Sequence, residues 1–335
     1  MTQPKTPANN QPLISVLMAA YNAEHYIQTA INSILSQTYS NLELIIIDDA
    51  STDSTWEKIQ ELSDQRIKCY QNPGNLGYLK TCNKLFSSAQ GQFITFQDAD
   101  DWSAPLRLET QLQHLQKNED ILFCGTFCAK VFNPKLEAEY TYPVTDKDIR
   151  RQLARGRTSL FCGASIMFRR KLLEQVGGYR ELFDRIGAED IDWYLRALDV
   201  GKACNIPATL YYYRQHQGSI SKSHNSGLSA ISTDIAYALY LQRQDGLRDA
   251  GEVIDNLNQM LTPITPGNSK SKPSLAAQLL AILLKDRKRD RYALSLSLTK
   301  TLAALIASAP ARNIIAHQRK RRSLKIKSFL NELTP

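Results

Sequence analysis

The sequence predicts an α/β fold: a Rossmann-like, mostly parallel sheet with helices on both faces, followed by a helical and basic C-terminal extension. Three observations carry this expectation. Strand-length apolar runs alternate with helix-period segments over about the first hundred residues, as in parallel sheets built from crossover units. Three of the runs end abruptly in polar residues, at Ala20-Tyr21, Asp48-Asp49 and Asp98-Ala99-Asp100-Asp101. Basic residues are concentrated behind residue 270, where 14 Lys and Arg stand against three acids. Of the net charge of +8, that tail carries +11 and the body before it −3.

In chain order, Leu13–Met18 reads as a buried strand, and Ile27, Ala30, Ile31, Ile34 and Leu35 have the spacing of one helix face. Leu42–Ile47 is a second strand, running into Asp48-Asp49-Ala50-Ser51-Thr52-Asp53, polar residues suited to cap the helix of Trp56, Ile59 and Leu62. A short strand, Ile67–Tyr70, and a turn-rich Asn72–Gly77 lead through another helix to Phe93–Phe96. A helix to about Lys117 follows, then a strand pair near 121–133, a polar segment with Tyr140, Tyr142 and Pro143, and a strand over Leu160–Phe168. Gly177-Gly178 is a turn, Phe183–Ala188 a loop, and Glu189–Arg196 a helix with acids in its first turn, where the dipole favours them. Leu210–His216 is strand-like. The expected domains are a disordered 1–11, a body over 12–222, a helical extension over 223–262, a linker over 263–273 and a basic amphipathic tail over 274–335.

Ligands of such sheets bind beyond the carboxyl ends of the strands, so three polar exits on one rim point to a site. Near a strand end, positions i and i+2 face the same way, which lets Asp98 and Asp100 share it. Two adjacent carboxylates repel unless a proton or a cation lies between them. A hard divalent cation carrying a phosphorylated ligand answers that repulsion; a solvated turn with a helix cap is the alternative. The six cysteines lack zinc-type spacing and mostly lie in apolar runs, as in a reducing compartment. No apolar leader or spanning segment is evident, which suits a cytoplasmic protein. Nucleic acid is not expected, because Tyr292 and Phe329 are the tail's only aromatics and the body is acidic.

With these residues in view, the chain resembles an inverting, family-2 nucleotide-sugar glycosyltransferase of the GT-A fold, of the kind that assembles bacterial surface polysaccharide. The resemblance covers roughly residues 12–222 and rests on SVLMAAYN (15–22), IIIDDASTDST (45–55), NPGNLGYLKTCN (72–83), FITFQDADDW (93–102), GGYRELFDRIGAEDIDWYLRA (177–197) and YYYRQHQGSIS (211–221). Ala19 departs from the Thr or Ser of many members. The resemblance implies that Ala20 and Tyr21 border the nucleobase and that Asp49 accepts the imide N–H of a uracil or thymine. Asp48 then orders its turn and Asp53 caps a helix. Lys80 either reaches the phosphates or base, or is solvated. Asp98, with Ala99 beside it, meets the ribose or donor sugar. Asp100 binds Mg²⁺ or Mn²⁺, and His216 is a second ligand or a structural hydrogen-bonder. Asp190 is the general base, Glu189 its neighbour and Asp192 structural. Asp101 is a supporting acid or a cap, and Trp193 a sugar platform or core. A UDP- or TDP-sugar donor and a glycan or lipid-linked glycan acceptor follow from the same likeness.

The tail is either a surface anchor for anionic lipid on the inner face of the cell membrane or an appendage packing on the body or a partner. Two other classes compete for the body. A phosphatase with Asp98 as nucleophile has Trp102 where a Thr or Val is needed and leaves Asp49 and Asp190 idle. A non-catalytic sugar-nucleotide binder has no use for the acid at Asp190. Glycine signatures of dehydrogenases and P-loop enzymes are missing.

Overall fold

The structure is a computed structural model that describes residues 11–132, 135–216 and 232–246. β1 (Ile14–Ala20), β2 (Leu42–Asp48), β3 (Ile67–Gln71) and β4 (Phe93–Phe96) lie side by side in the order β3-β2-β1-β4, all parallel. Their connections contain α1 (Ile27–Leu35), α2 (Thr55–Gln60) and α3 (Tyr78–Ser88). The register sets Ala20 beside Asp48 and Asp48 beside Gln71, so the carboxyl ends of these strands form one rim.

Beyond β4 the sheet becomes mixed. A two-residue β5 (Trp102–Ser103) and α4 (Arg107–Lys117) precede the long β6 (Ile121–Phe132), which pairs antiparallel with β7 (Lys135–Tyr140). Next come α5 (Asp146–Ala154), β8 (Met167–Arg169), α6 (Arg170–Val176), α7 (Glu189–Val200) and β9 (Lys202–Arg214). The sheet continues from β4 as β8-β6-β9-β5. β8 is antiparallel to both β4 and β6, β9 runs parallel to β6, and β5 antiparallel to β9. The expected parallel sheet is therefore the first half of a mixed one.

Both faces are covered. On one, Ile27, Ala30, Ile31 and Ile34 of α1 and Leu108, Leu112 and Leu115 of α4 cluster with alternate strand residues Ile14, Val16 and Met18. Full burial of such a side chain is worth about 1.5–3 kcal/mol. The other face is aromatic: Phe86 of α3 meets Phe96, Phe168 and Tyr179, and Trp193 of α7 packs at 4.8 Å from Phe168.

Four expectations need correction. The strand expected over Leu160–Phe168 is mostly loop and a short 3₁₀ turn, Gly163–Ser165, with only Met167–Arg169 as strand. The strand pair expected near 121–133 is one strand, β6, and its antiparallel partner β7 occupies the segment before Tyr140. The strand expected at Leu210–His216 begins at Lys202 and ends at Arg214, with register shifts around Pro207 absorbing the ring that cannot donate to a ladder. α5 and α6 were not anticipated, although Thr145 accepts a bond from Asp148 N (3.2 Å), an N-cap signal present in the sequence.

The chain divides into two compact units, residues 1–233 and 234–335. The second contributes most of α8 (Ser232–Gln244), on which Tyr237 and Tyr240 stack at 6.0 Å. Among the described residues no helix is long and apolar enough to cross a membrane. Residues 1–10, the linker and the basic tail lie outside the described residues, as do Gly218–Ser221 and most of the expected extension.

Candidate active site

The first two strand exits are knitted together. Asp49 N donates to Ala20 O (2.8 Å), Asn22 N to Ser51 Oγ (3.0 Å) and Thr52 N to Asn22 Oδ1 (2.9 Å). Ala20 is buried, whereas the Tyr21 ring is 49% exposed and open to a partner. Asp48 accepts from Ser51 N and from Gln71 Nε2 (3.1 Å), ordering its turn as expected. Asp53 accepts from Thr55 N (3.0 Å) and Glu24 N (3.1 Å) at the start of α2. Asp49 is 3% exposed and holds the loop before α3: Oδ1 accepts from Asn72 Nδ2 (2.8 Å) and Leu76 N (2.9 Å), Oδ2 from Gly77 N (2.8 Å). Most of its acceptor capacity thus serves the loop that walls this side of the rim.

β4 ends at Phe96, and the acids follow it in a turn. Asp100 Oδ2 lies 2.8 Å from His216 Nε2, so the two residues expected to share a cation are hydrogen-bonded neighbours, both partly exposed. The β5–β9 pairing brings them together, with Trp102 opposite Tyr212 and Ser103 opposite Tyr211. Arg214 fastens the end of β9: its N donates to Asp101 Oδ1 (2.7 Å), its Nε to Asp100 O (2.9 Å), and its guanidinium lies over Trp102 (4.7 Å) and Tyr26 (5.0 Å). The Tyr26 ring in turn packs against His216 at 4.6 Å. Asp101 is buried, with Oδ2 lacking a hydrogen-bond partner, and burial with the nearby Asp100 and Asp98 charges pushes its carboxyl up.

The base candidate comes from the far half of the fold. Arg185, Gly187 and Ala188 all adopt left-handed φ (62°, 82° and 67°), and this contorted loop delivers Glu189 and Asp190 as the first turn of α7. Asp190 Oδ1 accepts from Ile191 N (2.7 Å), while Oδ2 lies against Gly163, where an added β-carbon would overlap it. Two residues on, Asp192 is fully buried between Arg180 (3.5 Å) and Arg196 (2.8 Å). Arg196 also donates to Val176 O and Gly178 O, and Trp193 Nε1 to Gly177 O (2.9 Å), which ties α7 to the Gly177-Gly178 turn. Asn83 of α3 holds the next residue through Tyr179 N (2.8 Å) and Tyr179 O (2.9 Å).

The acids of the two halves feel one another. Asp98 is pushed up to about 7, first by burial and then by the charges of Asp100 and Asp190. Glu189 is pushed up to about 8 by burial and then by Asp190, and burial raises Asp190 as well. For Asp190, burial outweighs the opposing helix N-terminus, which leaves a carboxylate of increased basicity. Tyr78, at the first position of α3, directs its hydroxyl at Asp98 Oδ1 (3.5 Å).

The structure therefore brings Asp98, Asp100, Asp101, Glu189, Asp190 and His216 to one rim. Trp193 is 2% exposed within the aromatic core and has no free face for a sugar, so of its two expected roles it fills the core one. Lys80 is 44% exposed and paired with Asp184 (3.4 Å) at the edge of the loop. Residues the sequence did not single out are Tyr26, Tyr78, Gly163 and Arg214. Arg214 and Tyr78 lie within stretches that were legible, 211–221 and 72–83, whereas Tyr26 and Gly163 do not.

Two outcomes test this geometry. Gly163 does not occupy left-handed φ, so Gly163→Ala costs no backbone strain and acts only by displacing Asp190. It is expected to cut kcat by at least about tenfold while the unfolding temperature and nucleotide binding stay near wild type, a 1 Å misplacement being worth about 10²-fold in comparable sites. The second concerns pH. A carboxyl held above its ordinary value contributes stability below the unfolded value and loses it as pH rises through the folded one. In chelator-treated protein, Asp98→Asn should thus raise the unfolding temperature by an increment that grows from about pH 4 to about pH 7 and is level above, each kcal/mol being worth about 2–4 °C. An increment constant across that range would contradict the assignment.

Comparison with known proteins identifies the family and the fold. The profile of Glycosyl transferase family 2 matches residues 15–177. An uncharacterized glycosyltransferase of Haemophilus influenzae is 32% identical over 243 residues, covering 70% of this chain and 90% of the relative. An Escherichia coli relative described as UDP-Glc:alpha-D-GlcNAc-diphosphoundecaprenol beta-1,3-glucosyltransferase WfaP is 32% identical over 210 residues, 62% of this chain and 80% of that one. Among solved structures, S. aureus TarS 1–349 in complex with UDP-GlcNAc superposes with a TM-score of 0.57 at 19% identity, covering 89% of this chain and 82% of that 1–349 chain. The mixed sheet is accordingly the GT-A fold, and the chain belongs to glycosyltransferase family 2.

Proposed function

We propose that the protein is an inverting glycosyltransferase that moves a sugar from a UDP- or TDP-sugar to a hydroxyl of a growing bacterial surface glycan, free or lipid-linked. The observation that carries this reading is the convergence, on one rim, of the Asp100–His216 pair with a base-strengthened Asp190 from a separate helix. The E. coli relative's named acceptor, a diphosphoundecaprenol-linked sugar, supports the lipid-linked alternative.

In this reading the exposed Tyr21 ring packs on the base beside Ala20, Asp49 shapes the loop next to it and uses its remaining lone pair on the imide, and Asp98 with Ala99 accepts donor hydroxyls. Asp190 takes the proton from the acceptor hydroxyl as that oxygen forms its bond to the anomeric carbon. The bond from that carbon to the phosphate oxygen breaks on the opposite side, and the nucleoside diphosphate leaves with the electron pair; no enzyme nucleophile is needed. Glu189, close by and held protonated near neutrality, can donate a hydrogen bond without competing for that proton.

Asp100 and His216 are the residues that would hold a divalent cation. An imidazole nitrogen and a carboxylate oxygen in contact, both reachable from solvent, suit Mn²⁺ or Mg²⁺, which take few protein ligands and complete their shell with phosphate and water. Among the described residues no third acid, His or Cys joins them in a closed metal cluster. When bound, the cation would supply charge neutralisation to the departing diphosphate.

A thermal-shift and transfer screen of nucleotide sugars with Mn²⁺ tests the whole reading. Within it, Asp190→Asn is expected to lower kcat by about 10²–10⁴-fold while UDP binding persists, and Asp100→Asn to lose both transfer and metal-dependent UDP binding. Retained transfer by either variant refutes the corresponding role. For the basic tail, the reading is a peripheral membrane contact worth about 1 kcal/mol per basic residue on an anionic surface. A chain ending near residue 265 should stay soluble and no longer sediment with anionic vesicles; unchanged sedimentation refutes the contact.

A further inference from the structure

Arg107 is the residue of this fold whose placement the scaffold alone does not explain. It is fully buried, and among the described residues its guanidinium forms no salt bridge and its Nε has no hydrogen-bond partner. It also opens α4, where the helix dipole disfavours a cation. An unpaired buried charge at a helix N-terminus is costly on each count, and buried charges are otherwise paired or put to use.

Its contacts lead to one place. Nη2 donates to Phe96 O (2.9 Å), the last residue of β4, and Nη1 to Thr95 Oγ1 (3.3 Å). The guanidinium lies 5.6 Å from the Tyr211 ring centroid, and the Tyr211 hydroxyl accepts from Asp98 N (3.2 Å). Asp98 is thus approached from behind on two routes, through the strand end two residues before it and through its own amide.

We infer that Arg107 is a positioning residue and the built-in counter-charge of the acid rim, holding Asp98 in the orientation that receives the donor's hydroxyls. A fixed cation behind the rim lets Asp98 meet a ligand without a mobile ion in that place. The inference rests on the donor-binding role proposed for Asp98.

The test titrates UDP in the presence of Mn²⁺ into the full chain by calorimetry, for wild type, R107Q, R107K, D98N and R107Q/D98N, with unfolding temperatures measured in parallel. R107Q is expected to weaken UDP binding about tenfold, the scale of one charge-assisted interaction, and R107K, which keeps the charge, by under about threefold. The double variant should bind no more weakly than D98N alone, because Arg107 acts through Asp98. Should R107Q not fold, Y211F, which removes the hydroxyl beside Asp98 N, takes its place, again with a loss that D98N absorbs. An unchanged Kd for the folded R107Q or Y211F, an R107K as weak as R107Q, or losses that multiply with D98N overturn the inference while leaving Asp98's role intact. An unchanged Kd for D98N overturns both.

Discussion

Carboxylates crowded at one end of a sheet repel one another, and five of them meet at the rim where β4 and α7 end and begin. Neutralising them is the condition on which the rest of the site depends. The fold uses three devices at once. Asp98 and Glu189 hold protons near neutrality, Asp100 is bonded to His216, and Arg107 sits behind the turn as a fixed cation. Asp190 combines raised basicity with an oxygen, Oδ2, whose near neighbour is a glycine.

That arrangement depends on a very small piece of sheet. β5 is two residues long, yet its pairing with β9 closes a separation of more than a hundred positions and sets His216 on Asp100. So short a ladder contributes little by itself, and the stack of Tyr212, Trp102, Arg214 and Tyr26 supplies the missing adhesion. Cation–π contacts of this kind are worth about 0.5–2 kcal/mol each, and more when shielded from water.

The parallel half of the fold was legible because apolar runs such as Leu42–Ile47 can be little else, and their polar exits mark the binding rim directly. The second half was not. β8 is three residues long, and the run around Gly163 is apolar because it packs beside the site, not because it is a strand. Within the site, Asp98, Asp100, Asp190 and His216 could be named from motifs, since acids and a histidine announce their chemistry. Gly163, Tyr78 and Arg107 could not, because their roles come from proximity across elements that sequence spacing does not encode. Asp49 and Trp193 show the converse limit: both are conspicuous in the sequence, and one is chiefly a loop anchor and the other core.

α3 begins at the loop that Asp49 holds and, through Asn83, bonds the backbone of Tyr179 beside the turn to which Trp193 and Arg196 fasten α7. One helix therefore spans the distance between the loop that Asp49 holds and the turn to which α7 is fastened. It works as a strut, with the Asn72–Gly77 loop at one end and the backbone of Tyr179 held near the other. The wall of the first strand exits and the loop that leads into α7 are thus braced by the same short rod, although they come from opposite halves of the sheet.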